Sequence, residues 1–152
     1  MEIKNLMFNF FKKVKDDEAI NVNSKFDVEL IGCVLAYEVA MADGSIDPKE
    51  LKKIKTEVFK KSIELNADPI EILETIKIHN QESVSFNDFI NQINNKFSQD
   101  QKLEMIYFLW QTAYSDNLLD VDEERLIRRI ADMIRIKDMQ VLKLKHQAKL
   151  DS

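Results

Sequence analysis

Seven carboxylates in two short stretches are the chain's best material for chemistry. Asp43, Asp47 and Glu50 lie in Asp43-Gly44-Ser45-Ile46-Asp47-Pro48-Lys49-Glu50. Asp116, Asp120, Asp122 and Glu123 lie in Asp116-Asn117-Leu118-Leu119-Asp120-Val121-Asp122-Glu123, seventy-three residues further on. Oxygen donors without imidazole or thiolate suit calcium or magnesium and disfavour zinc or copper. Neither stretch has the alternate-residue ligands, sixth-position glycine and twelfth-position glutamate of an EF-hand loop. The candidate metal ligands are Asp43, Asp47, Glu50, Asp116, Asp120 and Glu123, with Asp122 beside them.

Four of these residues also have an ordinary structural use. Asp47-Pro48-Lys49-Glu50 reads as a helix N-cap, a first-position proline and a third-position glutamate, and Asp120-Val121-Asp122-Glu123 repeats the pattern without the proline. Capping accounts for Asp47, Glu50, Asp120 and Glu123. It does not account for Asp43 and Asp116, which stand just before the turn. A negative charge at the end of the preceding helix is unfavourable by about 0.3–1 kcal/mol. Gly44 and Asn117, both tolerant of positive φ, are placed to make the turns.

The stretches belong to a longer echo. Aligning 40–54 with 113–127 gives five identities in fifteen positions, and Tyr37 and Trp110 match upstream, so the repeat includes the helix before each loop. Residues 26–42 carry Phe26, Val28, Leu30, Ile31, Val34, Leu35, Val39 and Ala40 around most of a helix circumference, as does 103–114 with its own apolar run. Both are expected as buried central helices. After the loops, Leu51, Ile54, Val58 and Phe59 form one apolar face, and Leu126, Ile127, Ile130, Met133 and Ile134 another. Asp68-Pro69, Ser85-Phe86 and Ser98-Gln99 mark further helix starts, and 138–150 a last helix. The expectation is an all-α single globular bundle of about seven or eight helices, built from two similar helix-turn-helix halves. Central helices of about 25 Å would hold the loops apart if antiparallel and bring them together if crossed or parallel. Carboxylates meeting there would repel one another unless a divalent ion intervened.

Ahead of this domain (25–150), residues 1–15 are expected to form an amphipathic helix, with Ile3, Leu6, Met7, Phe10, Phe11 and Val14 on one stripe among lysines. Residues 16–24 read as a linker. The segment at 3–14 is suited to a partner or to a membrane surface.

Composition narrows the choices. Only two glycines and two prolines leave little material for hairpins, and 45% hydrophobic with 32% charged residues suits a globular domain. A net charge of −5 argues against nucleic acid, whose backbone is held by many cations. The lone Cys33 lies in an apolar run and reads as a buried, inert thiol. No segment reaches the roughly 20 apolar residues of a membrane span, and the polar breaks at Asn5, Asn9 and Lys12 disfavour a secretory signal, so a cytoplasmic location is expected. His79 and His146 lie away from the acidic stretches and are expected at the surface. No phosphate loop or nucleophile elbow is present, so neither an enzyme nor an organic cofactor is expected.

The phrases Ala42-Asp43-Gly44-Ser45-Ile46-Asp47-Pro48-Lys49-Glu50 and Ser115-Asp116-Asn117-Leu118-Leu119-Asp120-Val121-Asp122-Glu123, each after a buried helix, resemble the TerB-like family of tellurite-resistance proteins. The second phrase has Ser-Asp-Asn in place of Ala-Asp-Gly. The resemblance implies an all-helical fold of two similar halves and a metal site drawn from Asp43, Glu50, Asp116 and Glu123, with Asp47 and Asp120 adjacent. It also implies protein partners in a stress or tellurite-resistance type of response and in membrane-linked assemblies. The alternative is a metal-independent protein or membrane-surface interaction domain acting through its N-terminal helix.

Overall fold

A computed structural model describes residues 24–81, 87–115 and 118–152 of the chain. The helix expected at 1–15 and all but the last residue of the 16–24 linker lie outside them; Ser24 itself opens a helix. The described residues form seven α-helices and no strand: α1 (Ser24–Ala40), α2 (Pro48–Leu65), α3 (Pro69–Gln81), α4 (Asn87–Lys96), α5 (Gln99–Ala113), α6 (Val121–Met133) and α7 (Asp138–Leu150). None is long and apolar enough to cross a membrane.

Two helices organise the rest. α1 and α5 pack on each other; α1 also touches α2, α3, α4 and α6, and α5 also touches α2, α6 and α7. Their side chains explain this, because Leu30, Ile31, Val34, Leu35, Ala36 and Val39 of α1 and Ile106, Leu109, Trp110 and Ala113 of α5 are all buried. A helix with apolar residues on most sides has no face to offer water and must be surrounded. α2, α6 and α3 are one-sided by contrast. Ile54 and Val58, Ile127 and Ile130, and Ile72 and Ile76 point inward while charged residues face out.

Local chemistry sets the ends. Asp47 caps α2, and Pro48 occupies its first turn, where no amide donor is required. Ser98 and Gln101 form a reciprocal capping box at α5. α2 stops at Asn66 in the left-handed conformation (φ 53°), with Ala67 N–H donating back to Ser62 O at 3.0 Å. α6 stops similarly before Arg135 (φ 66°), where Ile136 N–H donates to Ala131 O at 2.9 Å.

The last turn of α6 is also tied to its neighbours. Lys102 is buried, and its Nζ donates to Ile134 O at 3.1 Å and to Asn94 Oδ1 at 3.2 Å, while Asn94 Nδ2 donates to Met133 O. A cation beside C-terminal carbonyls is favourable, and here it binds α4, α5 and α6 together. Trp110, fully buried, carries the Lys145 ammonium 5.8 Å from its ring centroid, and Lys145 pairs with Glu124. α7 is thereby fixed against both α5 and α6.

The contact between α1 and α5 passes close to Gly32. A Cβ added there would meet Met105 Cγ at 3.7 Å, an ordinary contact, so the helix has room for alanine. Gly32→Ala should raise stability by about 0.5–1 kcal/mol, since glycine inside a helix is that much poorer than alanine. Trp110→Ala should lower stability by about 3–5 kcal/mol, as a large core side chain leaves a cavity. Urea denaturation followed by circular dichroism checks both signs.

Candidate functional site

The first acidic loop follows α1 through Met41 to Asp47. Gly44 takes φ +93°, a conformation open to glycine, and its N–H donates to Met41 O at 2.9 Å. This turn leaves Asp43 exposed, with its Oδ1 accepting Ser45 N–H at 3.1 Å. Asp43 therefore has a structural task that capping logic did not anticipate: it closes an Asx turn on its own loop. Four residues later, Asp47 Oδ1 accepts Lys49 N–H at 2.8 Å.

In the second loop, Asp120 Oδ1 accepts the N–H groups of Asp122 at 2.8 Å and Glu123 at 3.4 Å. The two cap carboxylates thus do the same job. Asp116 and Asn117 lie outside the described residues. The loops differ in their outer side chains: Leu118 and Val121 are exposed where the first loop has Ser45 and Pro48.

The glutamate of each loop lies deeper than the aspartate that caps its helix. Glu50 and Glu123 are only 3% and 5% exposed. Burying a carboxylate is costly unless it is partnered, and each has a partner in the structure. Their positions explain the burial. Each glutamate precedes a fully buried isoleucine by four residues, Ile54 and Ile127, and so falls on the inward stripe of its helix. That spacing is present in the sequence, where the same glutamates also fit the third position of a helix cap.

His79 is a second buried polar group, against the expectation of a surface histidine, whereas His146 is exposed. It extends the inward stripe of α3, Ile72 and Ile76, to the following turn. His79 Nδ1 stands 3.8 Å from Glu38 Oε1, and its ring meets Phe89 edge-on at 5.1 Å. Asn80 Nδ2 donates to Glu38 Oε2 at 2.8 Å. This polar knot joins α1, α3 and α4 and takes no part in either acidic loop. Nearby, burial first and the Glu38 charge second raise the Tyr37 hydroxyl above its ordinary pKa.

The donor chemistry of the loops fits a hard cation, as every side-chain donor is a carboxylate oxygen. The geometry is less complete. Among the described residues no three histidine, cysteine, aspartate or glutamate side chains stand together as a metal-holding group.

Cap removal and charge removal should separate cleanly. Asp47→Ala and Asp120→Ala should each cost about 1 kcal/mol through the lost cap. The corresponding asparagine variants, which keep an acceptor oxygen, should cost less, and thermal melts in chelator distinguish the two series.

The family model described as Tellurite resistance protein TerB matches residues 29–146, a span that holds both acidic loops, all of α5 and α1 from residue 29 onward. Neither the curated proteins nor the solved structures give a match.

Proposed function

This chain belongs to the TerB family, and we propose that it is a non-enzymatic helical module that takes calcium or magnesium at its acidic loops and docks protein partners in a stress or tellurite-resistance type of response. The observation that carries the proposal is the way the backbone already holds the first loop's carboxylates. Ser45 N–H orients Asp43 and Lys49 N–H orients Asp47, so an arriving cation need not order them. Magnesium often binds through one or two carboxylates with water completing its shell, so a site of few protein ligands is chemically sufficient. The candidate ligands remain Asp43, Asp47 and Glu50 in one loop and Asp116, Asp120 and Glu123 in the other. Ion binding would supply rigidity at the ends of α1 and α5 and a surface of altered charge for a partner. The two-halves description of the fold belongs to the same proposal. Its support is that α1 packs on α2 and α3 as α5 packs on α6 and α7.

The second proposal is a metal-independent protein or membrane-surface interaction domain acting through the N-terminal amphipathic segment. One observation favours it: the cap aspartates are already engaged by backbone N–H groups.

Melting curves in calcium, magnesium and chelator decide between them. An ion that binds only the folded chain, at about 100 times its dissociation constant, should add about 2.7 kcal/mol of stability. Asp43→Asn combined with Asp116→Asn should abolish the shift and leave helical content unchanged. No shift with either ion at millimolar concentration would end the metal proposal in favour of the second.

A further inference from the structure

The outer face of α2 combines exposed lysines with exposed apolar side chains. The helix carries six lysines against three glutamates in a chain whose net charge is −5. One of those glutamates, Glu50, is buried, and a second, Glu57, pairs with Lys61 at 3.5 Å on the helix flank. Lys49, Lys52, Lys55 and Lys60 are exposed, with Glu64 the exposed acid of the helix.

Two apolar side chains share that face. Phe59, expected on the inner face with Ile54 and Val58, is 49% exposed, and Ile63 is 82% exposed. At 100° per residue, Lys52, Thr56, Phe59 and Ile63 fall within an arc of about 60°, with Lys49, Lys55 and Lys60 beside it. The inward residues Ile54 and Val58 lie about 100° or more round the helix from that arc, with Ser62 on the flank between. The result is a convex ridge, cationic toward the N-terminus of α2 and apolar toward its C-terminus.

We infer that this ridge is a docking face for an anionic lipid surface. Charge complementarity gives the sign of the occupant: exposed lysines favour a negatively charged surface. Area and shape favour lipid over protein. A stable protein interface covers about 800 Å² per partner, and two apolar side chains on a convex helix offer little toward that. A bilayer surface makes no such demand, because each lysine near anionic headgroups contributes separately and an aromatic with a branched aliphatic residue inserts shallowly beside them. α2 would lie along the surface. The inference does not depend on the acidic loops or on bound metal, and it involves residues distinct from 3–14.

Co-sedimentation of the full chain with vesicles tests it, using phosphatidylcholine alone and phosphatidylcholine mixed with phosphatidylserine, in chelator and at low salt. Binding is expected only to the mixed vesicles and should fall as salt rises, because exposed charges are screened. Reversing Lys52, Lys55 and Lys60 to glutamate should weaken partitioning by about tenfold or more. Phe59→Ser with Ile63→Ser should weaken it further; circular dichroism should show both variants folded, since these side chains point outward. Equal binding to neutral vesicles, no binding to mixed vesicles, or full binding by both folded variants would each overturn the assignment. Capture of an acidic amphipathic peptide by α2 without vesicle binding would assign the ridge to protein and overturn it as well.

Discussion

The structure depends on the burial of two helices that have no face for water. α1 and α5 carry apolar side chains around most of their circumference, so neither is stable until other helices enclose it. The other helices pack against one or both of them and supply that enclosure. Trp110, the largest fully buried side chain, sits on α5, and Lys145 of α7 closes over its ring. The acidic loops follow from this arrangement, since each is the connection by which a central helix gives way to a one-sided one.

That position explains why the loop carboxylates divide by depth. Asp43 and Asp47 stay near solvent, where backbone N–H groups of the turn and of the first turn of α2 hold them. Glu50 and Glu123 lie one turn further in, where a helix leaving the loop first meets the core. The acidic motif is therefore several environments in sequence: an exposed turn, a cap, and a buried carboxylate. The depth of the glutamates makes them the members most closely coupled to the core.

Polar groups elsewhere inside the molecule join helices that are distant in sequence. Lys102 links α5 to Asn94 of α4 and to the end of α6, and the Glu38, His79 and Asn80 group links α1 to α3 beside Phe89 of α4. Such contacts are directional where apolar packing is not, and they favour one arrangement of helices over near alternatives. The short α4 gains the most, having few apolar residues with which to fix its own orientation.

The sequence by itself determined the all-helical class, the two central helices, and the starts of α2, α3, α5, α6 and α7. Those features depend on periodicity and on cap residues acting across three or four positions, so near neighbours are enough to specify them. It also determined which residues are acidic and where they recur. Tertiary structure decided what each polar or apolar side chain faces. His79 and the two glutamates were carried inward because their stripe meets a central helix, and Phe59 was left outward because the buried stripe runs on from Val58 to Ser62 and Phe59 stands about 100° round the helix from Val58. Lys102 became buried because the end of α6, thirty-two residues away in sequence, comes to lie beside it. Periodicity marks the stripe on a helix, but only the position of the neighbouring helix sets where that stripe stops.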